Sequence, residues 1–335
     1  MRSLPGLSPK ATGIVAAIVT VAIWTSFIVI ARASAQRTLT PFDLAFTRIL
    51  GASLVLLPWG WWLSRRRRGA QRAGGPSFGG LSPLPLRLTL QVGAFGGLAY
   101  GVMVYTGFFY APAAHASVLM PGSLPLWTTL LAAAVLRDRI TPLRALGLAL
   151  ILAGDLLVGG ASLLHALSGG DVWKGDLLFM GAAFCWATYS VLARRHGLDP
   201  VQATIAITVL ACAAYVPAYA VLALSGAVSS HLGAAPWGEL LFQMLFQGVG
   251  SVVVSGITFT LMIQHFGPVR STMITALVPG LSAFGAVLFL GEPLYWNLLA
   301  GLALVTAGIL FGVRAAAPVT AKKIAAAECC TGAAG

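Results

Sequence analysis

Hydrophobic residues in this chain come in long runs rather than in alternation. Ten stretches of about 20 mostly apolar residues, enough to cross a bilayer as a helix, lie at approximately 13–33, 42–63, 88–110, 115–136, 142–164, 174–194, 202–224, 239–264, 268–290 and 293–314. The run at 145–164 is apolar all round, where a membrane β-barrel would show alternating ten-residue segments. The pattern predicts an all-α integral membrane protein with ten transmembrane helices. The first run is too long for a secretory signal, and Arg32 stands where a small-residue cleavage site belongs. It reads as a retained helix.

Composition points the same way. Of 335 residues 58% are hydrophobic and 9% charged, and the mean hydropathy is +0.88. A soluble domain carries about 25% charged residues, so a water-soluble globule is excluded, as are a disordered chain and collagen. The net charge is +12. Of the 21 Lys and Arg, 17 fall in segments on the N-terminal side of the membrane and 3 (Arg32, Arg37 and Lys174) on the other, with Arg48 inside a span. Positive residues collect in cytoplasmic loops, so both termini are expected there. These charges form no basic face for a nucleic acid; the run Arg65–Arg68 reads as a topology signal against anionic headgroups. Cys185 and Cys212 lie in spans, Cys329 and Cys330 in a low-complexity tail over 315–335, and no CxxC pair exists. Neither a disulfide framework, a metal site nor a cofactor is called for.

The chain repeats itself. With an offset of 154, Pro125 falls on Pro279, Asp138 on Glu292, Gly147 on Gly301 and Gly154 on Gly308; with an offset of 162, Trp24 falls on Trp186. A longer basic loop after the second helix accounts for the change of offset. The units are 13–164 and 174–314, five helices each, followed by the loose tail. An odd number of spans per unit makes the two insert in opposite directions. Inverted repeats are the mark of carriers that rock one half against the other around a site near the bilayer midplane.

Ten spans, two five-helix units, the acidic residue after helices 4 and 9 (Asp138; Gly291-Glu292-Pro293), the Gly-x6-Gly spacing in helices 5 and 10, and Pro41 with Arg48 in helix 2 resemble the drug/metabolite transporter superfamily, EamA type. The similarity covers about 13–314 and is greatest toward the bacterial aromatic amino acid exporter branch. It implies a multi-pass protein of the bacterial cytoplasmic membrane that moves aromatic and other neutral amino acids outward by alternating access, around a central cavity. Where the family has Gly-Glu, the first unit has Arg137-Asp138, read here as a tolerated change in a turn.

In lipid, polar side chains face the bundle interior or a wet cavity. Helix 8 carries the clearest stripe: Gln243, Gln247, Ser251, Ser255, Thr258 and Met262, spaced by three or four. The offset places Gln247, Ser251 and Ser255 on Gly93, Gly97 and Gly101 of helix 3. Both faces border a cavity, or both pack closely against neighbouring helices. Trp24 and Trp186 sit near mid-span, away from the interfaces, and either flank a ligand ring or fill the core; Tyr189 shares the face of Trp186. Tyr105, Met120, Trp127 and His115 complete the candidate wall, with Pro121, Pro125 and Pro279 kinking helices 4 and 9. Arg48 and Asp155 lie at similar depth and form a possible charge pair; a lone, wet Asp155 would instead couple transport to protons.

A carrier of phosphorylated sugars or nucleotide-sugars would need several cavity Lys or Arg, and only Arg48 is a candidate. An intramembrane enzyme would need a nucleophile–base pair or a metal cluster, and neither HExxH nor GxSxG occurs. A channel would need a charged ring or carbonyl filter. The expected partners are a small-molecule substrate, an amino acid, and the lipid bilayer.

Overall fold

The computed structural model describes residues 8–34, 37–67, 75–111, 113–166, 170–275, 277–291 and 296–314. The tail over 315–335 and the Glu292–Pro293 motif lie outside these. The described residues are helical, apart from turns and an isolated bridge between Ser77 and Ser82. The helices are α1 (Pro9–Ser34), α2 (Pro41–Arg67), α3 (Leu86–Tyr110), α4 (Ala113–Leu136), α5 (Pro142–Ala166), α6 (Val172–Arg195), α7 (Pro200–Leu224), α8 (Trp237–Phe266), α9 (Pro268–Thr275), α10 (Val278–Leu290) and α11 (Trp296–Arg314). Eight segments are long and apolar enough to cross a membrane, with α5 and a shorter apolar stretch, Leu299–Gly312, beyond them. The chain is a multi-pass membrane protein.

Where prolines stand decides where helices break. Pro121 and Pro125 lie inside α4, which runs on through them. Pro279 stands in the first turn of α10, where its missing N–H costs nothing. Gly267, at φ 81°, turns the chain between α8 and α9. Arg137 and Gly291 close α4 and α10 with φ of 58° and 67°. The arginine therefore holds the same left-handed conformation as the glycine, at a cost of roughly 1–2 kcal/mol for an L side chain. The Arg137-Asp138 departure keeps the backbone shape of the turn and carries its strain.

Contacts between helices rely on small residues. A Cβ at Gly51 of α2 would meet the Met244 backbone, and one at Gly248 of α8 would meet Gly51 and Ala52. α5 and α11 approach in the same way: Gly147 lies on Gly308, and Gly154 lies on Gly301. The partner number falls as the residue number rises, so these two helices cross antiparallel. Without a hydrophobic driving force between helices in lipid, such backbone-to-backbone packing holds them together. α3 and α8 share a departure from α-helical winding: Ala94–Leu98 and Met244–Val254 are π-helical.

Hydrogen bonds fasten the ends. Asp43, fully buried, accepts from the backbone N–H and hydroxyl of Thr40 (2.9 and 2.8 Å), from the Tyr219 hydroxyl, from Ser230 (3.2 Å) and from the His231 backbone N–H (3.1 Å). One carboxylate thus starts α2 and pins the α7–α8 loop over it. On the opposite side, Ser77, Ser82 and Thr89 join their hydroxyls at 2.7–3.0 Å and fold the segment after α2 against α3.

Candidate functional site

The helices leave the centre of the molecule open. Two adjoining lobes, of about 790 and 700 Å³ of empty space counted out to the mouth, share Arg48, Tyr100, Trp186 and Ser251 in their walls. A mainly apolar hollow with a few convergent polar groups is the form small-molecule sites take. The first lobe lies among α1, α2, α3, α4, α6, α8 and α10, bounded by Trp24, Phe27, Phe108, Met120 and Leu124. The second lies among α2, α3, α6, α7 and α8, bounded by Gly97, Gly101, Tyr105, Thr204 and Thr208. Among the described residues of both walls Arg48 is the one charged side chain, and no carboxylate lines either lobe. Its guanidinium sits 5.3 Å from the Phe27 ring centroid, a cation–π distance.

The wall is aromatic. Trp24 and Trp186 meet edge to face, centroids 5.9 Å apart at 69°. Phe259 stacks on Trp24 at 5.2 Å, and Tyr100 and Tyr189 pack on Trp186 at 5.0 and 5.2 Å. A ring held between two others needs about 7 Å, twice the contact distance of carbon atoms. In this conformation the tryptophans do not flank a slot; they form one continuous wall on which a ring would lie.

Of the candidates read from sequence, Trp24, Tyr105, Met120, Trp186 and Ser251 line the cavity, as does Arg48. Ser255 and Tyr189 stand behind it. Ser255 accepts the Trp24 indole N–H at 3.1 Å and donates to the Ser251 carbonyl at 2.5 Å; the Tyr189 hydroxyl bonds Thr260 at 2.6 Å. Five candidates are not brought to it. His115 bonds Asp176 at 2.8 Å, tying α4 to α6. Trp127 packs edge-on against Phe184 at 5.4 Å. Thr258 bonds Thr20 at 2.7 Å. Gln243 is buried and donates to Ser34 at 3.0 Å. Gln247 is buried off the cavity.

The stripe reading of helix 8 is thereby corrected. It took the polar face for cavity wall, but Gln243, Ser255 and Thr258 all turn to α1, and Ser251 is the residue of the stripe that borders the cavity. Most of the polar face is spent on α1. Of the three glycines, Gly93 and Gly97 pack on Leu210 and Ile207 of α7, while Gly101 faces open space. The charge pair is corrected too. Asp155 makes no ion pair with Arg48; it lies against Gly122 of α4, and its Oδ1 has no hydrogen-bond partner among the described residues. Equal depth in sequence said nothing of azimuth around the bundle.

Reading from sequence missed Phe27, Tyr100, Phe108, Thr204 and Thr208. One usable signal existed. Thr204 and Thr208 stand one turn apart in a run otherwise apolar, the spacing that puts two hydroxyls on one face.

Comparisons with known proteins bear on the whole chain. The profile of the EamA-like transporter family matches residues 11–160 and 173–314. An uncharacterized transporter of Bacillus subtilis (strain 168), YyaM, is 26% identical over 224 residues, 66% of this chain and 71% of that protein. An uncharacterized transporter of Archaeoglobus fulgidus is 30% identical over 162 residues, 48% of this chain and half of its own length. A solved crystal structure, 20% identical, superposes with a TM-score of 0.59 over 90% of this chain and 96% of its own; it shows a shared fold. Two matched segments that together span most of the chain settle the assignment: this protein belongs to the EamA-like transporter family.

Proposed function

We propose that the protein exports aromatic and other neutral amino acids across the bacterial cytoplasmic membrane by alternating access, with both termini in the cytoplasm and ten spans arranged as inverted units 13–164 and 174–314. Arg48 carries the substrate reading. A single guanidinium in a cavity walled by Trp24, Trp186, Tyr100 and Phe27 suits one carboxylate on an aromatic or apolar body. The aromatic faces offer the ammonium group a cation–π surface where no acidic residue lines the wall. A phosphorylated sugar carries about two charges and would leave one of them unmatched here.

Three features support the inverted units. The offset of 154 relates Gly147 to Gly301 and Gly154 to Gly308, and the glycines pack crosswise, as a two-fold axis requires. It carries Ala94–Leu98 into the π-helical part of α8. It also relates Arg137 to Gly291, which share a left-handed backbone.

Counterflow of labelled phenylalanine in vesicles tests the reading. A hydrogen bond to a charged group contributes about 1.5–3 kcal/mol, so Arg48→Gln is expected to weaken apparent affinity roughly 10–150-fold, with Arg48→Lys in between. Phenethylamine, which lacks the carboxylate, should fail to compete. Undiminished phenylalanine exchange by Arg48→Gln would sink the assignment.

A further inference from the structure

Asp155 is the one acidic side chain of α5, and the cavity does not use it. It is 5% exposed. Its carboxylate lies where a Cβ at Gly122 would stand, so α4 reaches it only because residue 122 has no side chain. Oδ1 has no hydrogen-bond partner among the described residues. Behind it, Gly154 packs on Gly301 of α11. α4 and α11 thus close on this stretch of α5 from two sides.

Among the described residues, the elements packed on α5 bring it no counter-charge. On α4 the titratable group is His115, seven residues from Gly122 and bonded to Asp176 of α6 at 2.8 Å. Lys174 of α6 is paired with Asp171 at 2.7 Å. On α11 the charged residue is Arg314, at the helix end. An ionised carboxylate in such surroundings is disfavoured, and the neutral acid is the form that fits. The neutral acid also has an O–H to donate. Pro121 and Pro125 lack the N–H groups that would bond the carbonyls of Ser117 and Pro121, so those two carbonyls lose their usual donors within α4.

α4 is also a cavity wall: Met120, Pro121 and Leu124 line the first lobe. Whatever moves α4 on α5 therefore moves the wall that a substrate touches. We propose that Asp155 carries the coupling proton of the transport cycle, neutral while α4 lies against it and ionised when α4 withdraws and admits water. On ionisation the carboxyl O–H bond breaks and the proton passes to water on the open side; on re-closing from the other side a proton is taken up there. No oxidant or co-reactant is involved. The proposal rests on the carrier reading above, and it adds a driving force to it.

The test uses the full chain in lipid vesicles, with two readouts. Infrared spectra at neutral pH, where ordinary carboxyls are ionised, should show a protonated carboxyl stretch that is absent from Asp155→Asn. In transport, a pH difference of one unit should shift the steady-state distribution of labelled phenylalanine about tenfold in the wild type, for one proton per cycle, and hardly at all in Asp155→Asn, while counterflow by that variant stays within about twofold. A carboxyl stretch that survives Asp155→Asn, or a pH-driven shift that does, overturns the proposal. Should Asp155→Asn not fold, Gly122→Ala keeps the acid and is expected to displace its infrared titration; a titration identical to wild type overturns it equally. Absence of phenylalanine counterflow in the wild type would discard the substrate, and the infrared titration would still decide the proton.

Discussion

Two antiparallel seams cross the middle of this protein, α1 on α8 and α6 on α3, and they use opposite chemistry. Along α1 and α8, Thr20 bonds Thr258 at 2.7 Å, Trp24 bonds Ser255 at 3.1 Å and Ser34 bonds Gln243 at 3.0 Å. Along α6 and α3, Phe179 fills the space over Gly107, Gly175 lies on Ala111, and Cys185 meets Met103 sulfur to sulfur at 3.9 Å. The first is a ladder of side-chain hydrogen bonds; the second is fitted apolar surface. Hydrogen bonds between membrane helices contribute only about 0.6 kcal/mol each on average, because the unfolded chain in lipid finds other partners. Packing has no such substitute. The apolar seam should therefore be the stronger, despite showing fewer recognisable interactions.

The largest expected effect tests that ranking. Phe179 is fully buried, edge-on to Phe108 at 5.2 Å. Phe179→Ala should cost roughly 3–5 kcal/mol of stability, read by denaturant unfolding in detergent, whereas Thr258→Val should cost about 0.6 kcal/mol. Comparable losses from the two would mean that the ladder, not the packing, holds the centre.

The same contrast explains what could be read in advance. Helix positions were legible because lipid demands long apolar runs, a constraint that acts on composition alone. Azimuth was not. The polar stripe from Gln243 to Met262 was legible as a face, but the helix it meets was not: Ser251 borders the cavity, whereas Gln243, Ser255 and Thr258 bond α1. Arg48 and Asp155 were matched by depth, although they occupy different faces of the bundle. Trp24 and Trp186 were found from their repeat relation. Tyr100, packed on Trp186 at 5.0 Å, has no counterpart in the repeat to signal it. A sequence records which residues lie at a given depth, and packing decides which of them meet.

An intermediate effect is expected at the helix ends. Gly291 takes its left-handed turn without strain, while Arg137 holds the same backbone with a side chain, at φ 58°. Arg137 is exposed, so shortening it removes little contact. Arg137→Gly should stabilise the protein by roughly 1 kcal/mol, less the small entropic cost of a freer unfolded chain. A decrease in the unfolding midpoint would show that the guanidinium makes a compensating contact.

The smallest effect concerns the two tryptophans, where the seams meet the cavity. The Trp24 indole N–H is spent on Ser255, while the Trp186 N–H is buried without a partner among the described residues. Both rings pack on Phe259, at 5.2 and 5.6 Å, so replacement by phenylalanine removes similar area from each. The hydrogen bond alone separates them, and one between membrane helices contributes about 0.6 kcal/mol on average. Trp24→Phe should therefore cost about 0.6 kcal/mol more than Trp186→Phe in the empty protein, measured by unfolding in detergent. Adding saturating phenylalanine sharpens the comparison. If the free indole N–H turns to the ligand's carboxylate, Trp186→Phe loses ligand-induced stabilisation and the gap between the variants narrows. A gap that stays constant with ligand would restrict Trp186 to its ring face, leaving Arg48 as the group that holds the carboxylate.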